Sequence, residues 1–194
     1  MTRGYRLLIK TARTVHIYTT LAGLLLVLLF AVTGFMLNHE DWFGLGEASR
    51  SMSAGHLSIA LLEEPDKLGV VEHLRQQWGA TGAVHAFDIE EDSCKVVFKS
   101  PGRVCEVIID RRTGNTEITH ESRGLAGRLT DLHRGKESGP VWGLVIDGTC
   151  LLLLVVASTG LILWYSLRTR FHLGLVALSV GGAFFAIIYA VAVP

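Results

Sequence analysis

Three stretches of this chain are apolar for long enough to cross a bilayer as helices. The first runs from His16 to His39 as HIYTTLAGLLLVLLFAVTGFMLNH, and Ile17 to Asn38 contain no Asp, Glu, Lys or Arg. A run of roughly 20 such residues spans the hydrocarbon. The second extends from about Trp142 to Leu167, with Asp147 as its one formal charge; the third extends from Phe171 to Pro194, with His172 near its start. The predicted spans are therefore 16–39, 142–167 and 173–193. Residues 1–15 precede the first span, 168–172 link the last two, and 40–141 form an intervening segment.

That segment changes period. Gly44, Gly46 and Ser49 to Ser53 read as an exit loop behind Trp42 and Phe43, which suit an aromatic belt. From His56 to about Gly82 the pattern is helical: Leu57, Ala60 and Leu61 share a face, and Pro65 is placed to open a second helix. There Leu68, Val71, Leu74 and Trp78 recur at three- and four-residue steps, and Gly79 is the stop signal. Strand-like runs follow at Ala83–Ile89, Lys95–Lys99, Arg103–Ile109 and Thr116–His120, separated by turn-forming residues. The run GLAGRLTDLHR, Gly124 to Arg134, is amphipathic and is broken by Gly135 to Pro140. The expected fold is a membrane protein of three transmembrane helices, with a small α+β domain between the first two: a helix leaning on a meander of three or four strands.

Charge orients this picture. Arg3, Arg6, Lys10 and Arg13 precede the first span without an acid among them, and Glu40 and Asp41 follow it. By the positive-inside rule the N-terminus is expected in the cytoplasm and the α+β domain outside it. Arg168 and Arg170 after the second span agree with that orientation; Arg128, Arg134 and Lys136 before it pull the other way. The first span is too long for a signal-peptide core and is followed by FMLNHEDW rather than a small-x-small cleavage site, so a retained anchor is expected. A formal net charge of zero gives no bulk basic surface for nucleic acid.

The three cysteines form no CxxC, no CxxCH for covalent haem and no zinc spacing. Cys150 reads as a small packing residue in a span. Cys94 and Cys105 flank a hairpin closed at Ser100–Arg103, which places Phe98 rather than Cys94 opposite Cys105. That register argues against a disulfide, although an oxidising compartment would permit one. No Ser/His/Asp order, HExxH or phosphate-binding glycine loop is present.

Histidines carry the remaining chemistry. His16 and His172 fall at the cytoplasmic edge of the spans, and His39 and His133 at the outer edge. Isolated histidines at span ends most often serve as interfacial anchors. Two depth-matched pairs, however, are what bis-histidine ligation of two b-type haems requires, since neutral imidazole is a good axial ligand. Gly23, Gly34, Gly160, Gly174, Gly181 and Gly182 offer room for a macrocycle or for close helix packing. On an ideal helix the 23 residues from His16 to His39 correspond to roughly 34 Å of rise and turn the second ring about 140° from the first. The two therefore do not share a helix face. Asp147 reads as an interface residue facing water, and His56, His73, His85 and His120 as surface or satisfied core residues.

The run RTVHIYTTLAGLLLVLLFAVTGFMLNH resembles the first helix of PepSY-associated transmembrane proteins, and DLHRGKESGPVWGLVIDGTCLLLLVVASTGLILW resembles their later "LHRG … TGL.LW" signature. IIDRRTGNTEI is similar to the strand–turn–strand of a PepSY domain. Larger members of this family include inner-membrane siderophore reductases that carry two b haems. The resemblance implies haem ligation by His16, His39 and His133; His172 is added by depth matching. It implies a bacterial inner-membrane oxidoreductase of the ferric-siderophore-reductase type, with membrane lipid around it, a cytoplasmic or membrane electron donor, and a periplasmic acceptor such as a ferric siderophore. The outer domain is net acidic and does not itself attract an anionic chelate. Other PepSY proteins modulate peptidases, so a cofactor-free, membrane-anchored interaction module is the alternative.

Overall fold

The computed structural model describes residues 2–63 and 66–193; the expectation that Pro65 opens a helix falls outside them. The chain forms two compact units, Leu28–Ile146 and Met1–Val27 with Asp147–Pro194.

In the first of these units a five-stranded antiparallel sheet is built from β1 (Ser49–His56), β2 (Ala83–Ile89), β3 (Ser93–Ser100), β4 (Arg103–Asp110) and β5 (Asn115–Ser122), in the order β1-β5-β4-β3-β2. Alternation explains the central strands. Cys94, Val96 and Phe98 of β3, Cys105, Val107 and Ile109 of β4, and Ile118 of β5 all turn to one face. That face meets Val70, Val71 and Leu74 of α3 (Lys67–Trp78), and every one of these residues is buried. Removing a large apolar side chain from water contributes about 1.5–3 kcal/mol. Asp66 caps α3 by accepting the Leu68 N–H, and Gly79 ends it in the left-handed conformation.

Phe98 lies opposite Cys105, as the hairpin register predicts, and Cys94 lies opposite Ile109. Both thiols are free, and burial pushes both of their pKa values up. At the β4–β5 turn Asp110 accepts the N–H groups of Arg112 and Thr113 at 2.8 and 2.9 Å. These bonds, that of Thr113 first, lower its pKa. Gly114 follows with φ +74°, and a side chain there would strike the Leu57 carbonyl at 2.3 Å.

The exit loop expected at Ser49–Ser53 is instead the start of β1, which pairs with β5 from Ser49–Ser122 to His56–Asn115. Its residues are exposed on both faces and do not alternate, so backbone pairing rather than burial makes the strand. The same pairing displaces helix from His56; between β1 and α3 the described residues hold the short α2 (Ala60–Glu63).

Among the described residues, three helices are long and apolar enough to span a membrane: α1 (Arg3–Asn38), α5 (Gly139–Ser166) and α6 (Phe171–Ala192). Their most apolar windows are only 17%, 6% and 0% buried within the chain, so their apolar surface is left for lipid. The protein is a multi-pass membrane protein. α1 continues back through the basic N-terminal segment to Arg3, because nothing there interrupts a helix once the apolar run has formed one. α4 (Gly124–Arg134) precedes α5 and closes on Gly135, whose φ is +68°.

Candidate functional site

α4 is fixed to the sheet by a buried carboxylate. Asp131 is 2% exposed, pairs with Arg123, and accepts the Gly102 N–H at 2.8 Å. Gly102 sits in the β3–β4 turn at φ +71°, and a side chain on it would meet the Arg128 backbone nitrogen at 2.7 Å. Only glycine allows the turn to approach α4 so closely. The Arg123 N–H donates in turn to the Gly102 carbonyl at 2.9 Å. Past the helix, the Trp142 indole N–H donates to the Leu132 carbonyl at 2.7 Å, and Arg134 pairs with Glu40 at 2.8 Å. Each of these contacts constrains the residues on either side of His133.

His133 lies on a seat formed by one face of α1. Its Nδ1 is 2.7 Å from the Thr33 hydroxyl, and its ring meets Phe30 edge-on with centroids 5.2 Å apart. Gly34 completes the seat: a methyl group at that position would lie 3.2 Å from Cε1 and 3.8 Å from Nε2. Residues 30, 33 and 34 share one helix face.

In the other unit, His16 of α1 has an equivalent seat on α5. Its Nδ1 is 2.9 Å from the Thr159 hydroxyl and 3.2 Å from the Val156 carbonyl. A methyl group on Gly160 would lie 3.4 Å from Cε1. The spacing 156, 159, 160 repeats 30, 33, 34. Beside Gly160 a 310 Å³ cavity is lined by Ala157, Leu161, Trp164, Gly174 and Leu178 as well. Trp164 stacks on Phe171 at 5.4 Å, and its indole edge leaves no space for a side chain at Gly174.

The other two histidines are placed differently. His39 lies just past the end of α1. Its ring stacks on Trp42 at 4.2 Å, with an interplanar angle of 16°, and leans on Phe35 at 4.4 Å. His172 is exposed on α6 and meets the ring of its neighbour Phe171. Among the described residues, neither touches the histidine expected to share its haem. His85 lies 3.8 Å from Glu137, and among the described residues no cluster of three or more His, Cys, Asp or Glu suits a bare metal ion.

The threonines were not evident from histidine spacing. Their signal is a near repeat, Ala31-Val32-Thr33-Gly34 in the first span and Ala157-Ser158-Thr159-Gly160 in the second. With small residues common in spans, that repeat acquires meaning only when a histidine is seen against each copy.

No curated protein and no solved structure matches the chain. A family described as "Putative PepSY_TM-like" matches residues 10–194. This covers nearly the whole chain, and the protein belongs to that family.

Proposed function

We propose that the protein is a haem b electron-transfer component of the bacterial inner membrane, oriented with its N-terminus in the cytoplasm. It would carry electrons from a cytoplasmic or membrane donor to a periplasmic acceptor, with a ferric siderophore as the acceptor class. The observation that carries this reading is the pair of seats: His16 and His133 both have Nδ1 engaged by a threonine, and neither Nε2 has a hydrogen-bond partner among the described residues. A metal-ligating histidine has that arrangement, with one nitrogen held by a neighbour and the other available.

The donor set fits the group. Haem b, when bound, supplies one-electron chemistry at iron held by imidazole. His16 and His133 would hold it through Nε2, with His172 and His39 as the expected second ligands. The seats orient the rings, and the apolar spans exclude water around them. The N-terminal basic cluster supports the orientation.

The test is an absorption spectrum of the detergent-purified full chain. A Soret band with sharp α and β bands on reduction is the expected result. A protein that stays colourless after expression with excess haem and after haem titration would overturn the reading. One observation favours the cofactor-free alternative: the His39 ring is already stacked on Trp42 and in contact with Phe35, as an interfacial anchor would be. In that reading the exposed sheet edge at β1 is the binding surface for a peptide.

A further inference from the structure

We infer that Thr33 and Thr159 are positioning residues that hold His133 and His16 in the Nδ1–H tautomer, so that the lone pair of each ring sits on Nε2. The inference rests on the haem reading only for its purpose; the tautomer itself follows from the hydrogen bonds.

At His16 the assignment is direct. Nδ1 is 3.2 Å from the Val156 carbonyl oxygen, which can only accept, so Nδ1 must carry the proton. The Thr159 hydroxyl, 2.9 Å from the same nitrogen, donates its own hydrogen to the Val155 carbonyl at 2.7 Å. Its oxygen is thus left as an acceptor. At His133 no carbonyl faces Nδ1, and the assignment rests on where Thr33 sends its single hydrogen. The Thr33 hydroxyl donates to the Leu29 carbonyl at 2.7 Å and faces Nδ1 at 2.7 Å. Each threonine passes the acceptor character of a helix carbonyl one step outward to an imidazole.

A serine, threonine or asparagine elsewhere on the seat would not do the same. The hydroxyl must reach the carbonyl four residues back and the facing ring at once, which the helical position allows in both copies. Glycine in the next position then lets the ring lie close to the helix. In neutral imidazole in water the tautomers interconvert freely; here the other tautomer would set a bare Nδ1 against the Val156 carbonyl at His16, and at His133 it would draw the Thr33 hydrogen away from the Leu29 carbonyl.

The experiment uses haem-free full-length protein with ¹⁵N-labelled histidine in detergent, at a pH where imidazole is neutral. The expected wild-type spectrum shows protonated Nδ1 and bare Nε2 at His16 and at His133, identified by their loss in His16→Ala and His133→Ala. Thr33→Val should shift His133 alone toward a tautomer mixture, and Thr159→Val should leave His16 held by the Val156 carbonyl with a smaller shift. Thr33→Ser and Thr159→Ser should restore the wild-type pattern, which separates the hydroxyl from the packing. Protonated Nε2 in the wild type, or Thr33→Val spectra identical to wild type, would overturn the inference.

With haem present, Thr33→Val should lower haem affinity about 10–100-fold, the cost of losing such a partner. It should also raise the reduction potential of the haem held by His133, because a less basic ligand stabilises ferric iron less. The NMR result stands whether or not haem binds, and a colourless protein would refute the haem reading while leaving the tautomer assignment intact.

Discussion

His16 and His133 rest on the same kind of seat, yet the elements that bring them there are held in different ways. His16 belongs to one span and is seated on another, with Val156, Thr159 and Gly160 beneath it. His133 belongs to α4, which is tied by Asp131 and Gly102 to the turn of a folded sheet. One site answers to helix packing in the membrane. The other answers, in addition, to the integrity of the α+β domain, and perturbations of that domain should reach His133 and spare His16.

The largest test is Phe98→Ala. Phe98 is fully buried in the sheet core, and truncation of such a ring costs about 3–5 kcal/mol. Denaturant titration of the solubilised protein should show that loss in the sheet transition. The ¹⁵N signal of His133 should broaden or shift, while that of His16 stays in place. Next comes Asp131→Asn, which weakens a buried ion pair and the bond from the Gly102 N–H. A destabilisation of about 2–3 kcal/mol is expected, again confined to the sheet domain and His133. Equal disturbance of both histidines in either variant would break the contrast.

Smaller effects sharpen it. In Gly34→Ala the new methyl group sits 3.2 Å from Cε1 of His133, a tight contact that must push the ring off its seat, and 3.8 Å from Nε2. In Gly160→Ala the contact with His16 is 3.4 Å at Cε1 and 3.9 Å at Nδ1, an ordinary contact on the far side from Nε2. Haem titration should therefore find Gly34→Ala weakened by roughly tenfold, about 1.4 kcal/mol, and Gly160→Ala close to wild type.

The smallest expected effect is at Asp110. Backbone N–H groups hold its carboxyl below the ordinary value, so the ionised form stabilises the folded turn. That contribution is present above the unfolded pKa of about 3.9 and is lost as pH falls through the lower folded value. Asp110→Asn should lower the plateau of the sheet's stability profile slightly and leave its acid end nearly unchanged, so that the acid limb is flatter.

The parts of the fold legible in the sequence are those where burial imposes a period. β4 runs over Arg103–Asp110, where alternation and turn signals indicate Arg103–Ile109, and the Pro101-Gly102 turn set the opposition of Phe98 and Cys105. β1 was illegible because Ser-Arg-Ser-Met-Ser-Ala-Gly-His has no buried face; its order comes from the β5 backbone. For the site, the sequence pointed to His16 and His133 as residues worth following but not to what they touch. Thr33 and Thr159 look like ordinary small residues of a span until the facing helix is known. Depth matching paired His16 with His172 and His39 with His133, but it carries no information on ring direction. The stacking of His39 on Trp42 arises from a turn just past α1 that depth alone does not encode.

The most direct test of the account is haem content, by reduced-minus-oxidised absorbance per polypeptide, in His16→Ala, His133→Ala and the double variant. If each seat holds one axial ligand of a separate haem, each single variant should keep about half of the wild-type haem and the double variant almost none. Full haem retention in both single variants would contradict the assignment of these two histidines as ligands.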